Sequence, residues 1–418
     1  MKSPCESFLV ASAALLLLGL ACPSESRAKA PSSAPPSRAA AAGVVRINPR
    51  AVLRGVFWFG LVCALFSASV AFAQRTDFPS TEMPPVILRD TRPEEWPDLR
   101  SRIQTRLRLY LGERPATAQT AELKFEETGR DQVSGLTRIH YRYHVMDDAW
   151  TEGALILPPD LKAGERRSVM LIIHGTHDLG KATAMDEKNA PRRAYAIELA
   201  RRGYVTFAPD LFGYGKPVDS TNRQGYLEKF DEQYPKWSQA DRIVFGLQKA
   251  LDLLDRLPMV RAGEYGAMGN SLGGGSTLRL MATDTRIKVG VASTGVSPQS
   301  TNIYRLVGKQ KGARADFDAI VKKTGRVPYE ITDMLALCAP RSLLVIEPFN
   351  DPYNPDVGAT FSAVRNAWMV WNLLDAPTRA SMLVHGDGHD TVDEVRNSAY
   401  GWIERWLPAR TTVMEATR

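Results

Sequence analysis

Apolar positions along this chain repeat with two different periods, and the alternation between them sets the architecture. Strand-length apolar or alternating runs occur at 136–145, 153–158, 169–173, 204–208, 265–268, 289–292, 342–346 and 381–384. Between several of them, apolar residues recur every three or four positions. The clearest such segment is 239–257. There Ile243, Leu247, Ala250, Leu251 and Leu254 share one face, while Asp241, Arg242 and Lys249 fall elsewhere, as on a solvated side. A second helix over 193–202 closes on Gly203, and another helical stretch covers 96–111. Strands alternating with helices predict an α/β fold: a mostly parallel central sheet with helices on both faces. The runs at 136–145 and 153–158 read as a leading antiparallel pair.

Two segments fall outside this alternation. Residues 218–238 are polar and aromatic, with Tyr226, Phe230, Tyr234 and Trp237. Residues 297–337 follow the strand at 289–292 and are expected to form a cap-like insertion. Its Tyr304, Phe317 and Tyr329 either line a substrate cleft or form the core of the cap. Trp368, Trp371, Trp402 and Trp406 lie on helical patterns and read as packing residues.

The N-terminal region is of a different kind. An apolar run at 8–21 precedes an Ala/Pro/Ser-rich stretch too poor in large apolar residues to fold. Then come Arg46, Arg50 and Arg54, an apolar run at 55–72, and Ala71-Phe72-Ala73 before Gln74. Basic, apolar and small-x-small regions in that order predict a signal peptide cleaved after Ala73, and hence a secreted or periplasmic protein with no stable membrane insertion. The alternative is a single membrane anchor. Two export-like signals in series suggest a true start near Val44 or Val45. The rival reading, lipidation at Cys22, has Gly19 where a large aliphatic residue belongs. The expected organisation is therefore a leader over 1–73, an extension packed on the core over 74–134, a catalytic domain over 135–410, and a tail over 411–418.

The leader also explains the charge. Residues 1–73 hold seven basic and two acidic side chains, five of the seven net positive charges of the chain. A nearly neutral body gives no electrostatic case for nucleic-acid binding. Three of the four cysteines lie in the leader, and Cys338 alone remains, so no internal disulfide is expected. About 345 residues suffice to bury a large core without one.

Candidate chemistry centres on Gly269-Asn270-Ser271-Leu272-Gly273. Strand-like residues precede it, and Gly274-Gly275 lead into a helical pattern through Leu278, Leu280 and Met281. A strand, a sharp turn and a helix around Gly-x-Ser-x-Gly make a nucleophile elbow, in which glycines relieve clashes and the serine hydroxyl stands clear of the sheet. Serine needs a base, and the base needs an acid to orient it. Of six histidines only His385 and His389 follow Ser271. His389, in the loop Gly386-Asp387-Gly388-His389-Asp390, is the expected base, and His385 at the strand end is expected to be structural. Asp351, in the loop after the run at 342–346, is the expected acid. Glu347 and Asp356 are its competitors.

Taken together these blocks resemble an α/β-hydrolase, closest to the dienelactone hydrolase and acetyl-xylan-esterase-like group. The matching residues are Leu171-Ile-Ile-His174-Gly175, Ala208-Pro-Asp210-Leu-Phe-Gly213-Tyr-Gly215, the serine elbow, Ala339-Pro340-Arg341 through Asp351, and Gly388-His389. Asn270 and Pro348 depart from the commonest pattern of the group. The resemblance implies an oxyanion hole built from the N–H groups of Leu272 and Thr176, with His174 bracing the loop. It also implies a serine esterase that needs no cofactor and no metal, acting on a small-molecule or glycan ester, with carbohydrate acyl esters as the expected class. Two other functions fit the elbow: a serine peptidase of the prolyl-oligopeptidase type, and a hydrolase fold used only for binding.

Overall fold

The computed structural model describes residues 86–299 and 329–410, apart from Asp148, Pro217 and Pro355. The leader with its cleavage site and Cys22, the tail, and most of the expected cap with Tyr304 and Phe317 lie outside the described residues.

Nine strands form one sheet: β1 (Phe125–Val133), β2 (Leu136–Met146), β3 (Ala149–Ile156), β4 (Arg167–Ile173), β5 (Val205–Pro209), β6 (Val260–Asn270), β7 (Ile287–Ser293), β8 (Ser342–Pro348) and β9 (Ala380–His385). Their spatial order is β1-β2-β3-β5-β4-β6-β7-β8-β9. The pairings from β1 to β5 are antiparallel, and those from β5 through β9 are parallel. Every residue of β4 and β8 is buried, as strands covered on both faces require. Alternation decides which side each residue serves. Val169, Leu171 and Ile173 join one core cluster, and Met170 and Ile172 join the other.

Helices close both faces. On the first lie α1 (Trp96–Leu111), α5 (Gln239–Leu254), α6 (Leu272–Thr283), α7 (Ile331–Leu337) and α8 (Val357–Leu373); on the second lie α3 (Tyr195–Arg201) and α9 (Asp393–Trp406). The short α2 (Ala116–Thr120) and the polar α4 (Arg223–Gln233) complete the described helices. Ser238 caps α5 by accepting from Asp241 N, and the apolar stripe read from its sequence is buried. Asp241 and Arg242, expected on a solvated side, are buried too: Arg114 and Trp237 Nε1 satisfy the carboxylate, and the Arg242 guanidinium lies over the rings of Phe212 and Trp237. Helix α1 buries Trp96, Ile103, Leu107, Tyr110 and Leu111, so the segment before the sheet packs on the core. Arg114 pins its far end through a bidentate contact to the buried Asp241, at 2.6 and 2.9 Å.

Two elements differ from the sequence expectation. The leading antiparallel unit has three strands, because β1 joins the edge upstream of residue 135. Its sequence, FEETGRDQV, is almost wholly exposed and carries no apolar alternation. Charged pairs brace β1: Arg130 with Glu127, Arg138 with Asp131, and Arg142 with Glu126. Within 218–238, α4 buries only Phe230, which stacks among Phe212, Tyr234 and Trp237. The C-terminal tryptophans pack as expected: Trp371 is buried and donates to Arg341 O, and Trp368 donates to Pro377 O.

Candidate active site

The carboxyl ends of β4, β6, β7, β8 and β9 converge at one end of the sheet, where open α/β sheets place their ligands. Strand β6 ends at Asn270 and α6 begins at Leu272, so Ser271 alone makes the turn. Its φ of 59° and ψ of −120° are strained values for a side-chain-bearing residue. Neighbouring backbone enforces them. A Cβ on Gly273 would stand 2.0 Å from Ile173 O, and one on Gly269 would stand 2.5 Å from Gly273 O and Ile173 O. Ser271 N donates to Ser293 O at 2.9 Å, fastening the elbow to β7.

His389 follows β9 and meets Asp351, which follows β8. The Nδ1–Oδ2 distance is 2.7 Å. An ionised carboxylate only accepts, so Nδ1 carries the proton and Nε2 is left as the basic nitrogen. The other oxygen of Asp351 accepts from Tyr353 N at 2.7 Å, and its side chain is fully buried. The ring of Tyr353 stands edge-on to His389 with centroids 4.7 Å apart, a contact that sequence reasoning did not find. Asn350 ties the two loops together, accepting from Gly388 N and donating to Gly386 O. Ser271, Leu272, Thr176, Tyr353 and His389 all line one cavity of about 370 Å³.

The competing residues do other things. Glu347 lies fully buried at the end of β8 and accepts from Val296 N at 2.7 Å and Asn354 Nδ2 at 3.1 Å. Burial pushes its carboxyl up to about 8, outweighing those two hydrogen bonds, and the nearby Asp351 charge adds to the rise. Asp356 caps α8 through Ala359 N. His385 pairs with Asp387 at 3.2 Å, away from the cavity lining.

The loop that carries Thr176 is braced from behind. His174 is buried, its Nδ1 donating to Gly175 O at 2.7 Å and its Nε2 accepting from Leu211 N at 3.1 Å. Burial lowers its pKa, which keeps the ring neutral for that accepting role. Asp210 accepts from Lys181 N and forms an ion pair with Lys181 Nζ at 2.5 Å, latching the same loop onto the end of β5. Gly175 lies so near the elbow that a Cβ there would be 3.6 Å from Ser271 Cβ.

Comparisons with known proteins agree with the fold. A glucuronoyl esterase from Solibacter usitatus superposes with a TM-score of 0.59 at 18% identity, covering 78% of this chain and 98% of that one. A promiscuous CE15 esterase from a marine bacterial metagenome gives 0.61 at 18% identity, covering 79% and 98%. The chain has the α/β-hydrolase fold. A Bacteroides fragilis protein assigned as an acetyl xylan esterase gives 0.56 at 15% identity, covering 76% and 82%. The model of the dienelactone hydrolase family matches residues 185–312 of this chain, which include the serine elbow. Among curated proteins, none matches the sequence significantly. No helix among the described residues is long and apolar enough to cross a membrane.

Proposed function

We propose that this α/β-hydrolase is a serine hydrolase of carboxylic esters. The observation that carries the reading is the 2.7 Å contact between His389 and the buried Asp351, with His389 and Ser271 on one cavity wall. His389 Nε2 takes the proton of Ser271 Oγ as the oxygen attacks the ester carbonyl. Asp351 holds the ring in the productive tautomer and stabilises the imidazolium. The first-turn N–H groups of a helix have no acceptor within it, so Leu272 N–H at the start of α6 is available to the developing oxyanion. Thr176 N–H, on the braced loop, supplies the second donor. His389 then protonates the leaving alcohol and activates the water that cleaves the acyl-enzyme.

The substrate class is a small-molecule or glycan ester, with carbohydrate esters favoured by neighbours named as glucuronoyl and acetyl xylan esterases. Export rests on the signal-like pattern that ends at Ala73, and the mature chain should begin at Gln74. The test is to assay the purified mature chain on 4-nitrophenyl acetate beside a prolyl anilide, with a fluorophosphonate label located by peptide mass. Ester turnover, an inert anilide and label on Ser271 are expected. Absence of ester turnover, or label on another residue, overturns the reading.

A further inference from the structure

Arg279 is the one residue of the cavity lining, among the described residues, with a permanent charge, and no carboxylate lines the cavity with it. It stands two helical turns beyond Ser271 on α6. Helical side chains point back toward the N-terminus. Gly275, one turn earlier, leaves the space this requires: a Cβ there would lie 3.0 Å from Arg279 Nη1. The guanidinium therefore lies over Gly275, about 6 Å along the helix axis from the nucleophile. Nη2 donates to Tyr110 Oη at 3.3 Å, and the head sits 5.8 Å from the Tyr110 ring centroid. Nε is buried without a hydrogen-bond partner.

The nearby acids are taken. Asp333 pairs with Arg106 at 2.7 Å, and Glu330 accepts from Gln299 N and Ile331 N. Arginine presents a planar fork that matches a carboxylate, and here a single long bond to Tyr110 Oη and a buried Nε without a partner leave most of that fork's donors to a ligand. We infer that Arg279 is the binding site for a carboxylate carried by the substrate, set a few bonds from the scissile ester. The inference rests on Ser271 being the nucleophile, and it narrows the substrate to esters bearing a second, free acid group.

Matched pairs of probes test it. On the acyl side, mono-4-nitrophenyl glutarate is compared with 4-nitrophenyl pentanoate. On the alcohol side, 4-acetoxybenzoate is compared with phenyl acetate. The parent should favour the anionic member of at least one pair in kcat/KM, and the favoured pair reveals which side carries the acid. Arg279→Met should reduce that anionic-to-neutral ratio by about 10- to 100-fold. Arg279→Lys, which keeps the charge but loses the fork, should fall between the two and guards against a folding defect in the methionine variant. Equal use of both members by the parent, or a parallel loss on both in the variants, overturns the inference. Failure of every ester, neutral ones included, would instead strike at the esterase reading.

Discussion

The two loops that bring Ser271 and His389 to the cavity are built in opposite ways. Around the serine, backbone packs against backbone, so that a single added Cβ at Gly273 would meet Ile173 O at 2.0 Å. Around the histidine there is room. Gly388 also has a positive φ, of 67°, yet a Cβ there would touch nothing within 4 Å. His389 keeps 22% of its side chain exposed and is steered by hydrogen bonds to Asp351 and by Asn350. On the proposed reading the contrast has a use: a nucleophile needs one fixed position, which dense packing supplies, and a base must serve first the serine and then the leaving group, which a tethered but uncrowded ring allows.

Chemistry gives the largest effects with which to break this comparison. Ser271→Ala should cost about 10^6 in turnover, and His389→Ala a similar amount. The double variant should be little worse than either, because the members act as one unit. Asp351→Asn should cost about 10^4, since an amide cannot hold the same tautomer, whereas Asp356→Asn should be mild because Asp356 is occupied capping α8. Steady-state rates on a nitrophenyl ester decide this, and simple addition of the single losses would refute a shared role.

Packing gives the next contrast. Gly273→Ala should lower stability by about 3 kcal/mol or more, because the clash is with backbone that cannot move aside. Gly388→Ala should cost only about 1–2 kcal/mol, the strain of a positive φ alone. Urea melts of the two variants measure the difference, and equal losses would remove the distinction between the loops.

Glu347, which links Val296 to Asn354 beneath the acid loop, gives a test that is read from pH alone. The folded chain keeps its proton up to about 8, while an unfolded chain releases it near 4.5. Between these values the unfolded state binds fewer protons. The contribution to stability is therefore complete below about 4.5 and declines as pH rises toward 8. Glu347→Gln, neutral throughout, should flatten that decline when urea midpoints are compared at pH 5, 6.5 and 8. An unchanged slope would mean that Glu347 ionises freely in the fold.

Much of this is legible in the amino-acid sequence, for definite reasons. Buried parallel strands such as β4 and β8 leave unbroken apolar runs, and α1 and α5 leave stripes of period 3.6. The elbow was legible because its glycines are demanded by local collisions. Strand β1 was not legible, since it buries almost nothing and is held by backbone pairing and surface charge. Helix α4 was missed for the same reason. Sequence order favoured Asp351 over Glu347 and Asp356 without showing their contacts; the loop after β8 brings Asp351 to His389 and leaves Glu347 on Val296 N and Asp356 on the N-terminus of α8. Tyr353 and Arg279 gave no signal: an aromatic after proline reads as a turn, and an arginine on a helix reads as solvated.

The charged pairs along β1 have a consequence for the molecule among its neighbours. A sheet edge offers unpaired N–H and C=O groups to any passing strand, and a long apolar edge would recruit one. Here an incoming strand would have to lie beside the partnered charges of Arg130, Arg138 and Arg142, stripping them of water. The outermost rung thus guards this edge of the sheet against growth by strand addition, and that protection comes from the very polarity that hid β1 in the sequence.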